Sequence, residues 1–333
     1  MSIVLTRRRR WVLLVTVVAL AIAAVGLVAL RGCRAPVCDP VHYPPGGITI
    51  STGGVGGVYE AYGLAFQEVL ADELPDLTVR VDNSSGSVDN LTRLATGRAD
   101  LAFMSADTAF RAPALEQAAG APGRIRAVAR IYDEYVQVVV RQDSPLRSLR
   151  DLRGKRVSVG SAGSSVEITA RRLLAAAGMD DNTDIVRRGY SVSDSARLLA
   201  NGTLDAFFWV GGLPTTAVAT LASNLPIRLL PVDRYVEELR RQYGSFYQLA
   251  TVPAGTYANV PDTPTAAVPS YLLASLRLDD DLVMRLSAAL FSHRTRIASV
   301  VPSGRVLDVR SAISTASIPL HPGAIRYYRS VKP

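Results

Sequence analysis

Leu94-Ala95-Thr96-Gly97-Arg98-Ala99-Asp100-Leu101-Ala102-Phe103 returns about 105 residues later as Leu199-Ala200-Asn201-Gly202-Thr203-Leu204-Asp205-Ala206-Phe207. In both copies a helical pattern halts at a glycine, the residue that takes a left-handed cap at least cost, and an aspartate then opens an apolar run. A helix stops and a buried strand starts, twice. Upstream of each copy lies another matched pair: Gly47-Ile48-Thr49-Ile50-Ser51-Thr52-Gly53-Gly54-Val55-Gly56-Gly57, and Gly154-Lys155-Arg156-Val157-Ser158-Val159-Gly160-Ser161-Ala162-Gly163-Ser164-Ser165. Each is a short β-type run breaking into a Gly-rich loop. Helical spacing follows, with Tyr62, Phe66, Val69 and Leu70 after the first and Val166, Ala170, Leu173, Leu174 and Ala177 after the second. Alternating strands and helices make parallel sheets covered on both faces, so the sequence predicts an α/β protein with two similar lobes in tandem. Ligands of such sheets sit beyond the carboxyl ends of the strands, where these loops lie.

The chain continues past the second unit through a strand-like Thr265-Ala266-Ala267-Val268, a helix from Asp279 to about His293 and a tail to Pro333. This segment is short for a third domain and is expected to return to the first lobe. The expected division is residues 47–136 plus 248–333 for lobe one and residues 137–247 for lobe two. Hinge crossings fall near Tyr135 to Val140 and near Gly244 to Thr251.

The amino-terminal end has a different character. Arg7 to Arg10 precede a run from Trp11 to Leu30 whose only polar side chain is Thr16, about 30 Å of helix and enough to cross a bilayer core. Basic flanks stay in the cytoplasm, so the remainder is expected outside the cell membrane, behind a retained single-pass anchor or a removed signal. Within residues 1–38, Cys33 in Leu30-Arg31-Gly32-Cys33 suits lipid attachment, and a Cys33 to Cys38 disulfide is the alternative. Residues 39–46, with three prolines, form a linker.

Charge and chemistry narrow the function. Six arginines before Asp39 account for most of the net charge of +8, leaving +2 on the body, so no cationic footprint for nucleic acid is present. No G-x-x-x-x-G-K-[ST] loop occurs, and the third glycine of a G-x-G-x-x-G fingerprint falls on Tyr59. The three histidines, His42, His293 and His321, accompany no G-x-S-x-G elbow and no metal-ligand spacing, and His321 reads as a turn residue between two prolines. No cofactor and no catalytic or metal-binding residue is expected.

The loops suit anion binding. Ser51, Thr52, Gly53 and Gly54 in the first, Ser161, Gly163, Ser164 and Ser165 in the second, and Ser85, Gly86 and Ser87 in a third lie at helix starts, where backbone N–H groups lack partners and the dipole is positive.

Ile48 to Tyr59, Ser85-Gly86-Ser87-Val88-Asp89-Asn90-Leu91, Gly97-x-x-Asp100-x-Ala102-Phe103 with Asp107, Asp151-Leu152-x-Gly154-Lys155-Arg156-Val157, and His321-Pro322-Gly323-Ala324-Ile325-Arg326-Tyr327-Tyr328 together resemble the TAXI family, the solute receptors of tripartite ATP-independent periplasmic (TRAP) transporters. The resemblance implies a type II periplasmic-binding-protein fold that closes on glutamate, 2-oxoglutarate or a related acid and delivers it to a TRAP membrane permease. It implies a pocket that adds Tyr59 and Asp107 to the lobe-one loops, with Asp107 placed to accept from a ligand amine. Tyr190, Gly211, Gly212 and Pro214 would stand near the lobe-two loop. A membrane-tethered sensor reporting ligand to a signalling partner is the alternative function.

Overall fold

A computed structural model describes residues 43–118, 120, 123–316 and 318–332; the expected anchor, Cys33 and Cys38 lie outside them. Among the described residues no helix is long and apolar enough to cross a membrane.

The first part of the chain runs β1 (Ile48–Ser51), α1 (Val58–Glu73), β2 (Val79–Asp82), α2 (Ser87–Thr96), β3 (Leu101–Ser105), then the short α3 (Ala106–Ala109) and α4 (Ala112–Ala118). A long β4 (Ile125–Arg141) leads to β5 (Arg156–Ser158), α5 (Ser165–Ala176), β6 (Val186–Arg188), α6 (Val192–Ala200), β7 (Ala206–Gly211), α7 (Thr216–Asn224) and β8 (Ile227–Leu229). The chain returns through α8 (Val236–Tyr243), β9 (Gln248–Val252) and β10 (Thr263–Ser275) to α9 (Asp280–Ser292), α10 (Arg294–Val300), α11 (Val309–Ala312) and α12 (Pro322–Ser330).

The strands lie in the order β2-β1-β3-β10-β4-β7-β5-β6, with β8 beside β4 and β9 beside β10. The outer groups are parallel, β1 between β2 and β3, and β5 between β6 and β7. The repeat seen in the sequence therefore builds two three-stranded groups of equal topology. Both repeat glycines, Gly97 and Gly202, have φ of 75°, the conformation that ends a helix sharply. The repeated aspartates have a shared task. Asp100 Oδ2 accepts from the Thr49 N–H at 2.9 Å, and Asp205 Oδ2 accepts from the Arg156 N–H at 2.8 Å, so each pins the first strand of its own group. Asp205 also holds the Arg156 guanidinium through both oxygens, and that pairing lowers its pKa from the ordinary carboxylate value.

Two antiparallel strands join the groups. β4, 17 residues or roughly 55 Å long, pairs with β10 from Ile125 to Tyr135 and with β7 from Tyr135 to Val140, changing partners at Tyr135. β10 pairs with β9 through Ala267 and with β3 from Ser270 onward, and its register against β4 shifts at Ser270/Tyr271 and Leu272/Leu273. Such irregularities bend and twist a strand.

The C-terminal helices pack on the first group. α9 and α10 lie against α1, the Tyr328 hydroxyl donates to the Val128 carbonyl at 2.9 Å, and the Ala127 and His321 backbones exchange bonds with Pro319 and Ala127 carbonyls. His321, expected as a turn residue, is a fully buried helix N-cap: Pro322 starts α12 immediately after it, and its Nδ1 accepts from the Gly323 N–H at 3.2 Å.

Candidate functional site

The starts of α1, α2, α5 and α6 converge on one cavity of about 50 Å³, floored by β4 and β7. Ten residues expected at the site line it: Gly53, Gly54, Tyr59, Ser85, Gly86, Ser161, Ser164, Ser165, Tyr190 and Gly211. Long apolar helix stems fix the loops. Tyr62, Phe66, Val69 and Leu70 of α1 and Val166, Ala170, Leu173 and Leu174 of α5 are all buried, as their spacing predicts.

The three loops share a closing device. The Gly56 N–H donates to Glu60 Oε2 at 2.7 Å, Ser85 N–H to Asp89 Oδ2 at 3.3 Å, and Gly163 N–H to Glu167 Oε2 at 2.9 Å. In each loop a carboxylate four residues on, within the first helical turn, tightens the bend and neutralises part of the helix dipole. Gly86 has φ of 125°, and a Cβ there would stand 3.1 Å from Ser164 Cβ, so only glycine lets these two loops meet as they do.

The remaining expected residues face elsewhere. Ser51 is buried, with its hydroxyl on Asn90 Oδ1 at 2.6 Å, and Thr52 donates to the Asp82 carbonyl at 3.1 Å. Both hydroxyls belong to the strand-to-helix junction. Ser87 Oγ is buried and accepts from the Ser105 N–H at 3.2 Å. Gly163 gives its carbonyl to the Val88 and Asp89 N–H groups at 3.1 and 3.3 Å. Gly212 packs against Ser303 and Tyr132, and Pro214 is exposed beyond the end of β7.

Asp107 is 1% exposed and is not among the residues that line the cavity. Its carboxylate accepts from the hydroxyls of Ser105, Thr108 at 3.2 Å, Thr169 at 3.3 Å and Tyr247 at 3.2 Å, and lies 3.6 Å from the Arg172 guanidinium. It ties α3 to α5 and to the segment before β9. With the Ser193 hydroxyl on the Val55 carbonyl at 3.0 Å and the Gly163 bonds to α2, it joins the two strand groups beside the cavity.

Sequence reasoning missed the floor. Tyr132 and Glu134 of β4 and Trp209 and Val210 of β7 also line the cavity. Glu134 is 2% exposed, and burial above all holds its carboxyl well above the usual range; the Tyr59 hydroxyl bonded to it works the other way, and Asp107 and Asp133 add repulsion. Tyr59 in turn accepts from Ser270 Oγ at 3.0 Å and stacks on Phe103 at 5.5 Å. Burial, then the Glu134 charge, push the Tyr59 hydroxyl up, so it serves as a hydrogen-bonding group and does not ionise. Among the described residues no group of three histidine, cysteine or acidic side chains is placed to hold a metal ion.

Two parallel three-stranded groups, bridged by long antiparallel strands with a cavity at the strand ends, define a periplasmic-binding-protein fold. The methylphosphonate-bound PhnD1 of Prochlorococcus marinus shares it, with a TM-score of 0.52 over 77% of this chain and 90% of that one at 15% identity. The periplasmic aliphatic sulphonate binding protein of Escherichia coli matches with a TM-score of 0.48 at 18% identity over 87% and 84% of the two chains. The alkanesulfonate-binding protein of Xanthomonas axonopodis pv. citri, bound to MOPS, gives 0.46 at 18% identity over 88% and 86%. Residues 50–331 match the NMT1-like family, and the chain belongs to it.

Proposed function

We propose that the protein is an extracytoplasmic solute receptor that performs no chemistry on its ligand. The observation that carries this reading is the convergence of four helix starts, with their Gly/Ser loops, on one enclosed cavity between two equivalent strand groups. Such an arrangement offers oriented N–H and O–H donors and positive dipole ends to a carboxylate. Among the described residues that line the cavity there is no histidine, cysteine or lysine.

Residues 47–136 plus 248–333 form one lobe and residues 137–247 the other, turning about the stretch of β4 at Tyr135 and the return through β9. Open lobes admit the solute, and closure brings Ser85 and Gly86 against Ser161, Ser164 and Ser165, removes competing water and strengthens each bond. The solute is a small carboxylate-bearing metabolite such as glutamate or 2-oxoglutarate. The closed receptor, tethered through the Trp11–Leu30 run, presents it to a membrane permease of the TRAP type.

Thermal melting of the full-length chain against amino acids, dicarboxylates, sugars and nucleotides tests this. A ligand at 100 times its Kd stabilises the fold by about 2.7 kcal/mol, a raised Tm that is expected with a carboxylate-bearing probe. Stabilisation by sugars or nucleotides alone would remove the carboxylate site from the loops.

A further inference from the structure

Among the described residues Glu134 is the one acidic side chain lining the cavity, and its Oε2 has no hydrogen-bond partner. The hydroxyl of Tyr132, 3% exposed on the same strand, also lines the cavity and is also unpartnered. The structure spends a bond on orienting the carboxyl, since Ser270 donates to Tyr59 and Tyr59 to Glu134, and leaves the remaining oxygen open. Trp209 stands in the same lining with its indole N–H already given to Thr215 Oγ1 at 2.8 Å, so what it has left for the cavity is its π-surface. A buried acceptor without a partner is destabilising, more so when charged, and such a group calls for something that completes it.

Among the described residues, the charges that act on the Glu134 carboxyl are the negative ones of Asp107 and Asp133. From α1 comes the Tyr59 hydroxyl, from its own strand Tyr132 and Asp133, from α3 Asp107, and from β10 the Ser270 hydroxyl behind Tyr59. The nearby arginines are engaged with other acids, Arg130 with Asp133 at 2.6 Å and Arg172 with Asp107 at 3.6 Å. An enclosed carboxyl with acidic neighbours, an open oxygen and aromatic rings beside it matches a cation carrying N–H donors.

We propose that the solute carries a protonated amine seated against Oε2 of Glu134, beside Tyr132 and Trp209, while its carboxylate takes the donors of the helix starts. This rests on the receptor reading above and narrows it: the ligand is an amino acid or another small amine-bearing acid, not a keto dicarboxylate. Glu134 takes the part that sequence assigned to Asp107. The proton balance follows directly. In the empty cavity burial keeps the Glu134 carboxyl protonated above the ordinary carboxylate range, the arriving ammonium supplies the missing counter-charge, and the carboxyl proton leaves to solvent. Binding therefore tightens as pH rises toward the Glu134 pKa, by up to about tenfold per pH unit. A keto acid accepting a hydrogen bond from the neutral carboxyl exchanges no proton there, so its affinity stays flat with pH until the carboxyl ionises and falls beyond that point.

Isothermal titration calorimetry on the full-length chain, with matched pairs of amino acids and their 2-keto acids and with ethylamine as an acid-free amine, separates these cases. The expected result is at least tenfold tighter binding of the amino acid of a pair at pH 7, with affinity rising as pH climbs above the ordinary carboxylate range. Glu134→Gln should lose tenfold or more for that amino acid and flatten the slope. Keto acids binding as tightly as amino acids would overturn the amine subsite and leave the receptor standing. Binding of ethylamine but of no acid would keep the subsite and remove the carboxylate from the loops. Binding of no amine-bearing probe, or unchanged affinity in Glu134→Gln, also overturns it. The wild-type pH slope stands as a test even where the variant folds poorly.

Discussion

At the residue scale, Glu134 trades stability for recognition. A carboxyl whose pKa is raised on folding binds its proton more tightly in the native state, so folding free energy is lost as pH climbs from the unfolded pKa, about 4.3, toward the raised native value. Glu134→Gln removes that loss, and the ligand-free variant should melt higher than wild type at pH 7, with the gap closing as pH falls to the unfolded pKa of about 4.3. Melting curves of both proteins across this range check it, and a variant that melts lower at every pH would mean the carboxyl is a structural support. His321 acts with the opposite sign. Burial lowers its pKa, chiefly by desolvation, so stability is present at neutral pH and falls as pH drops below about 6.5. The wild-type profile contains both effects, and subtracting the variant isolates Glu134. Neither role was legible in the sequence: Glu134 sits in Tyr132-Asp133-Glu134-Tyr135, where charge in a strand reads as a solvated face. Only the switch of β4 from β10 to β7 beside it turns that position into the cavity floor.

At the scale of elements, the first strand–loop–helix unit is sewn together by one amide. Asn90 of α2 is fully buried, donates from Nδ2 to the carbonyls of Thr52 at 2.5 Å and Phe103 at 2.7 Å, and accepts from Ser51 Oγ. It joins the end of β1, the middle of β3 and the helix that carries Ser85 and Gly86. Asn90→Ala strands several buried polar groups and should cost about 2 to 4 kcal/mol, measured as a lower denaturant midpoint with an unchanged slope; a loss below 0.5 kcal/mol would show that water or Ser84 replaces the amide. The repeat itself was legible because its signals are local: glycine caps, aspartates before strands, and apolar residues at helical spacing. The hydroxyls of Ser51, Thr52 and Ser87 show the limit of that method. A serine at a helix start serves the junction or the ligand equally well by sequence, and here the buried strand ends claim all three. The carboxylates Glu60, Asp89 and Glu167 are a signal that could have been found, since each lies four residues after the loop residue it holds.

For the whole molecule, the decisive feature is that polar contacts beside the cavity are drawn from both strand groups: Gly163 with α2, Ser193 with Val55, and Asp107 with Thr169 and Tyr247. A neutral bond of this kind is worth about 0.5–1.5 kcal/mol net and one to a carboxylate about 1.5–3, a scale on which a bound solute can decide between open and shut. Gly56 and Ser193 meet at the rim: a Cβ on Gly56 would stand 3.9 Å from Ser193 Cβ, inside the span a disulfide needs. Gly56 has φ of 81°, so a cysteine there costs about 1–2 kcal/mol, which the fold must carry. The most direct test of a receptor that opens and closes is to measure binding of the acid giving the largest melting shift to Gly56→Cys/Ser193→Cys, with Cys33 and Cys38 replaced by serine, before and after oxidation. A hinged receptor predicts near-wild-type binding when reduced, at least a hundredfold slower entry when oxidised empty, and retention of solute when oxidised full. Equal entry rates in the reduced and disulfide-locked states would contradict closure over this cavity as the means of capture.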